Sequence, residues 1–248
     1  MRNGASQLPG AVSSRYSENS CFLILLCVSP GAKMFGMVST NVAGARLYGG
    51  VEAAERRASR RARLLEAGLD LLGADVPQIA DLTVRGICRQ AGLTARYFYE
   101  SFTDKEEFVS AVFDSVIAEL AAKTQSVVKA APPGEQTRAG IANIVRTIAG
   151  DARIGRLLFG VHLSNAVVVR KRVESSVLLA MLSGQHAGTA LRLPENDRIR
   201  AAGHFVVGGV AQTISAWLAG EVRFKPERLI EQLAALLDKL GDPALYRD

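Results

Sequence analysis

The sequence predicts an all-α protein built as two helical units, and three observations carry that reading. From about Val51 onward, apolar residues recur at steps of three and four. No stretch alternates apolar and polar residues in the way a half-buried strand would. Thr residues that open helices and Gly or Pro residues that end them punctuate the chain between those apolar stripes. The 248 residues, 48% hydrophobic and 22% charged, have the composition of a globular chain long enough to bury a core.

Residues 1–45 read as an extension, disordered or preceding the true start. They are rich in Ser, Asn and Gly around one greasy run, Cys21 to Val28, that is too short to span a bilayer, so no membrane partner is expected. Arg2 and Arg15 precede the run, but no Ala-x-Ala-like cleavage site follows it closely. Met34 and Met37 offer alternative starts. The first folded unit is then 46–103 and the second 104–248.

Helix 1 is expected from Glu52 to Leu72, burying Ala58, Ala62, Leu65, Leu69 and Leu72, and the run Gly73 to Pro77 ends it. Thr83 opens a short helix 2 with Val84, Ile87, Cys88 and Ala91 on one face. Gly92 follows as its left-handed terminator. Thr94 is the expected cap of helix 3. Thr103 is expected to cap helix 4, with Glu106 completing a capping box. Helix 4 continues through Phe108, Val112, Val116 and Leu120 toward Val128. The run Ala131 to Gly134 is the most linker-like break in the chain. Further helical stretches are expected near 135–149, 152–163, 166–185, 196–219 and 226–240.

Function is most legible in residues 82–108, LTVRGICRQAGLTARYFYESFTDKEEF. Two short helices joined by a tight Ala91-Gly92-Leu93 turn make a helix-turn-helix. Phe98 and Phe102, four apart, should face the core with Leu93, which turns Ala95, Arg96 and Tyr97 outward from the first turn of helix 3. First-turn residues of a recognition helix reach base edges in the major groove of double-stranded DNA. Arg96 can donate two bonds to a guanine edge and Ala95 can lie against a thymine methyl. Thr83 and Thr94, at helix N-termini, suit phosphate, as do Tyr99 and Lys105 beside them. The Arg-rich start of helix 1, ERRASRRAR, reads either as a phosphate or minor-groove contact or as a solvated face. The chain carries a formal charge of +6, yet Arg46 to Glu107 holds ten basic and ten acidic residues, so placement of charge matters more than its sum.

This block resembles the tetracycline-repressor (TetR) family. The resemblance lies in Thr83, in Ala91-Gly92-Leu93, in Phe98-Tyr99-Glu100-Ser101-Phe102 and in Asp104-Lys105-Glu106, and with helix 1 included it covers nearly fifty residues from helix 1 to helix 4. It implies base reading by 94–97 and phosphate binding by Tyr99 and Lys105. It also implies a divergent C-terminal helical bundle that binds a small-molecule effector and forms a homodimer through the last two long helices. Here those are about 196–219, with small Gly203, Gly208 and Gly209, and 226–240, with a stripe of Leu229, Leu233, Leu236, Leu237 and Leu240. Gly86 departs from the family, which usually carries an acid there; the long N-terminal extension is a second departure.

The expected function is a cytoplasmic, ligand-responsive repressor. Phe159, His162, His186, Phe205 and Trp217 are candidates for the effector pocket, and each also reads as an ordinary core residue. The three histidines lack the i+3 or i+4 pairing of a metal site, and no cofactor is expected. Cys21, Cys27 and Cys88 have no disulfide or metal spacing, which suits a reducing compartment. Two alternatives stay open. One is an architectural or recombination-type helix-turn-helix protein with no effector. The other is an all-helical enzyme, for which no nucleotide-binding, nucleophile-elbow or zinc-protease motif is present.

Overall fold

Helix α1 (Leu47–Leu72) starts five residues before its expected position and ends where Gly73 breaks it. In this computed structural model the described residues are 47–75, 82–160, 165–191, 194 and 196–246. The N-terminal extension, with Cys21, Cys27, Met34 and Met37, lies outside them. The buried face of α1 is Leu64, Ala67, Gly68, Leu69 and Leu72, whereas Ala58 and Ala62, expected inside, are exposed. Gly68 sets that face. A Cβ there would lie 2.4 Å from Val112 Cγ2 and 2.6 Å from Phe108 Cζ, so α4 crosses α1 at a position that has no room for a side chain.

Helices α2 (Val84–Ala91) and α3 (Ala95–Tyr99) follow. Thr83 caps α2, its hydroxyl accepting from the Gly86 amide at 3.0 Å. Gly92 ends α2 at φ 61°, in the left-handed region, while the Leu93 amide donates back to Cys88 O. Thr94 takes the capping position of α3 but makes no side-chain cap bond. Phe98, Phe102 and Phe108 then meet with ring centroids 5.2–5.5 Å apart, a cluster worth about 0.5–1.5 kcal/mol per pair beyond simple burial.

The cap of α4 (Lys105–Ala130) falls one residue later than expected. Asp104 accepts from the Glu107 amide at 2.8 Å, and Glu107 reaches back to accept from both the amide and the hydroxyl of Thr103 at 2.7 Å. The box is real but its members are Asp104 and Glu107, since a carboxylate is the stronger acceptor at a helix N-terminus. That contact holds the Glu107 carboxyl below its usual range. The Pro-rich break is a hairpin rather than a linker. A short 3₁₀ turn (Pro133–Glu135) sends α5 (Gln136–Gly150) back along α4, where Asn143 donates to Thr124 at 2.8 Å.

Helix α6 (Ala152–Phe159) stops four residues early, at Gly160, and α7 (Ala166–Leu191) runs six residues beyond its expected end. Helices α8 (Asp197–Leu218) and α9 (Pro226–Lys239) match expectation closely, and a 3₁₀ turn (Pro243–Tyr246) follows. The described residues contain no strand. One continuous apolar core runs from Leu64 and Phe98 through α4 and α5 to Leu229 and Leu237. Most of the α9 stripe expected at a dimer interface is used inside the protomer: Leu229, Leu233 and Leu237 are buried and α9 packs on α5, while Leu236 of the stripe is 54% exposed. Helices α7 and α8 pack on each other instead and leave the other large apolar face open.

Candidate nucleic-acid interface and ligand cavity

On α3, Ala95 and Arg96 are exposed and Tyr97 is half-buried, while Phe98 is fully buried. The three expected base readers therefore lie on the outward side of a helix whose other side is anchored by Phe98 and Phe102. Arg96 is 84% exposed and pairs with Glu100 at 3.0 Å. A pair this exposed is worth about 0–1 kcal/mol, so the guanidinium can exchange its partner at little cost. Thr83, Thr94, Tyr99 and Lys105 are all exposed around it. The Thr83 hydroxyl uses its acceptor on Gly86 and keeps its proton to donate, and the Thr94 hydroxyl is not spent on a cap.

Three arginines of α1 take a role that neither reading of that segment included. Arg60 lies over the Tyr97 ring at 4.4 Å and pairs with Glu100 at 3.6 Å. Arg61 lies over Phe102 at 4.4 Å and donates to Ser101 O, and Arg63 donates to Ala91 O at 2.7 Å. These three clamp α1 to the helix-turn-helix, a role that periodicity does not reveal, because their aromatic and carbonyl partners lie 28 or more residues away in the chain. Arg56, Arg57, Arg60 and Arg96 together line a shallow groove between α1 and α3, with Tyr97 and Glu100. Four guanidinium groups around one concave strip make a surface suited to a polyanion.

The second feature is an apolar cavity of about 540 Å³ walled by α4, α5, α6, α7 and α8. Phe113, Ile117, Ile141, Leu158, Val206 and Val210 represent its lining, and this volume falls in the range of small-molecule sites. Of the residues expected there, Phe159 lines it. Phe205 does not: it is 67% exposed on the outer side of α8, because the buried side of that helix passes through Val206. Trp217 is also outside the cavity, half-buried, with its indole N–H donating to Phe224 O at 2.9 Å. His162 lies outside the described residues, as does the side chain of His186 on α7. Arg172, Ser175, Ser176, Gln212 and Ser215 supply the polar part of the wall and were not anticipated. Cys88 is a core residue, and its burial pushes the thiol pKa up.

Helix α6 connects the cavity to α1. Its Arg153 donates to Asp151, to Glu66 of α1 at 2.8 Å and to Asp70 of α1, and the bond to Asp151 holds that carboxyl below the usual carboxylate range. Arg156 donates to Gly73 O at 2.6 Å. Gly73 has no room for a side chain, since a Cβ would lie 2.6 Å from Arg153 O. The far end of α6 forms part of the cavity wall through Leu158 and Phe159.

Among the described residues no helix is long and apolar enough to cross a membrane, and no group of three His, Cys, Asp or Glu is placed to hold a metal ion. No protein-family model matches the chain, and no curated protein does. Solved structures do. The fatty acid degradation regulator FadR from Bacillus halodurans shares 16% identity at a TM-score of 0.57, over 72% of this chain and 94% of that one. The transcriptional regulator FadR from Bacillus subtilis, solved in complex with stearoyl-CoA, shares 17% identity at a TM-score of 0.54, over 71% of this chain and 96% of that one. At such identities the likeness is one of fold: this chain is folded like all-helical transcriptional regulators.

Proposed function

We propose that this protein is a DNA-binding transcriptional regulator of the TetR type, a homodimeric repressor released from a near-palindromic operator by a small apolar effector. The observation that carries this reading is α3, whose Ala95 and Arg96 are exposed and whose Arg96 and half-buried Tyr97 line a groove with three arginines of α1, while Phe98 locks the helix to the core. Residues 46–103 form the reading unit, and 104–248 form the effector and dimerisation unit. The setting is cytoplasmic and the role non-enzymatic. The cavity favours a ligand-responsive regulator over an architectural DNA-binding protein, which has no use for it.

The dimer forms through α7 and α8. Val169, Val173, Val177 and Met181 recur every four residues along α7, each 46–60% exposed, and Phe205 of α8 adds to the same class of exposed large apolar side chains. A row of this kind is unusual on a monomer and suits a second copy. Two recognition helices held about 34–36 Å apart would enter successive major grooves. Ligand in the cavity shifts the dimer toward a spacing that does not fit, through α4, which lines the cavity and crosses α1 at Gly68, and through α6.

Selection of bound duplexes from a random pool by the full chain tests the reading. An enriched inverted repeat is expected, released by long-chain apolar ligands. Enrichment of bent or A-tract DNA without a repeat, indifferent to any ligand, would favour the architectural reading instead.

A further inference from the structure

Among the described residues the cavity wall holds one formal charge and no counter-charge. Arg172 of α7, half-buried, donates from Nε to Leu157 O at 3.0 Å, from Nη1 to Gly160 O at 2.7 Å, and from Nη2 to Arg156 O at 2.8 Å and Leu157 O at 2.7 Å. Every acceptor is a main-chain carbonyl at the C-terminal end of α6. That end offers about half a negative charge, short of the full unit a guanidinium carries. One Nη1 hydrogen has no partner among the described residues. Among the described residues no carboxylate lines the cavity, and the neighbouring Glu174 is taken by Arg170 and Lys171. Burial lowers the pKa of Arg172 from its ordinary value, as expected for a cation without an anion beside it. Arginine nevertheless stays protonated.

The rest of the wall limits the partner. Around Arg172 the lining is mostly Val, Ile, Leu and Phe, with Ser175, Ser176, Gln212 and Ser215 as the other polar side chains, and Ser215 already donates to Phe159 O at 2.9 Å. The fitting molecule is thus an apolar chain ending in one small anion. Resting on the effector reading of the cavity, we propose that its ligand is a free aliphatic monocarboxylate, held by a charge-assisted contact between its carboxylate and Arg172. A thioester or alcohol has no charge to offer the guanidinium. The several phosphates of a coenzyme A ester would need several cations, and the described lining supplies one.

The test measures equilibrium binding of tetradecanoate, tetradecanol, methyl tetradecanoate and tetradecanoyl-CoA to the full wild-type chain. The acid is expected to bind at least tenfold more tightly than the alcohol or ester, the size of effect a charged hydrogen bond gives. Arg172→Gln should erase that preference and leave alcohol binding in place. Equal binding of acid, alcohol and ester, or tighter binding of the CoA ester, overturns the proposal while leaving the cavity as a ligand site. Failure of every chain to bind removes the effector reading itself and the proposal with it. Arg172 also caps α6, so helicity and Tm of the variant are measured alongside; if the variant is unfolded, the head-group series on the wild type decides.

Discussion

Glycine to alanine at position 203 is a small change with a large predicted effect. Gly203 sits where α8 crosses α7, and a Cβ there would lie 2.4 Å from Ala180 O and 3.2 Å from Gly184 N. Both obstacles are backbone, so no rotamer change relieves the contact. Restoring ordinary contact requires the helices to part by roughly 0.5–1 Å, a gap that forfeits about a quarter to a half of each dispersion contact along the crossing. Overpacking of this kind costs about 1–3 kcal/mol, with a rigid obstacle near the upper end, and the better helix propensity of Ala returns about 1 kcal/mol. The net loss is about 1–2 kcal/mol, lowering Tm by roughly 2–8 °C. Gly184→Ala is the matched control from the other side of the same crossing. Its Cβ would meet Ile199 O at 3.5 Å, an ordinary contact, so the propensity gain should survive and Tm should hold or rise. Thermal unfolding by circular dichroism reads both. A Gly203→Ala protein as stable as wild type would show that the helices are not this close, and the shape of the cavity between them would need revision.

Three further predictions bear on the caps, the pH response and the dimer. Thr83→Ala removes the α2 cap and should cost about 1 kcal/mol in denaturant unfolding, with Thr83→Ser restoring it. Asp151 is held below its usual pKa first by hydrogen bonding from Arg153, so its contribution to stability is complete above the unfolded carboxyl value of about 4 and is lost as pH falls through the lower folded value. Tm of Asp151→Asn should therefore fall less than that of wild type on acidification below about pH 4, and parallel curves would contradict the assignment. Met181→Glu puts a charge in the exposed row of α7 and should give a folded monomer by sedimentation; an unchanged dimer would place the interface elsewhere.

The helix-turn-helix was legible because its signals are local. Thr83 as cap, Gly92 in the left-handed region and the Phe98–Phe102 spacing each depend only on neighbours within a turn or two. Helix α1 was misread on its first half because alanine sits comfortably on either side of a helix, so Ala58 and Ala62 carry no direction. The side that packs was decided by Gly68, whose meaning appears only when α4 is placed across it. The same reason hid the cavity. A void is defined by where five helices fail to touch, and nothing in Phe205 or Trp217 says which side of its helix will face that void. The α9 stripe was correctly apolar, but a stripe does not name its partner, and α5 of the same chain took it. Arg172 had no local signature at all, since its acceptors lie twelve to sixteen residues earlier.

The most direct test of the account is binding of an enriched duplex at fixed salt by wild type, Arg96→Ala and Tyr97→Ala. Salt must be held because phosphate contacts make affinity depend steeply on it. If α3 reads bases, Arg96→Ala should weaken binding by about 1–3 kcal/mol, roughly tenfold or more, and relax preference at one base position in each half-site, with Tyr97→Ala changing a neighbouring one. Affinity and base preference left unchanged by both substitutions would contradict the central claim and remove α3 as the reader.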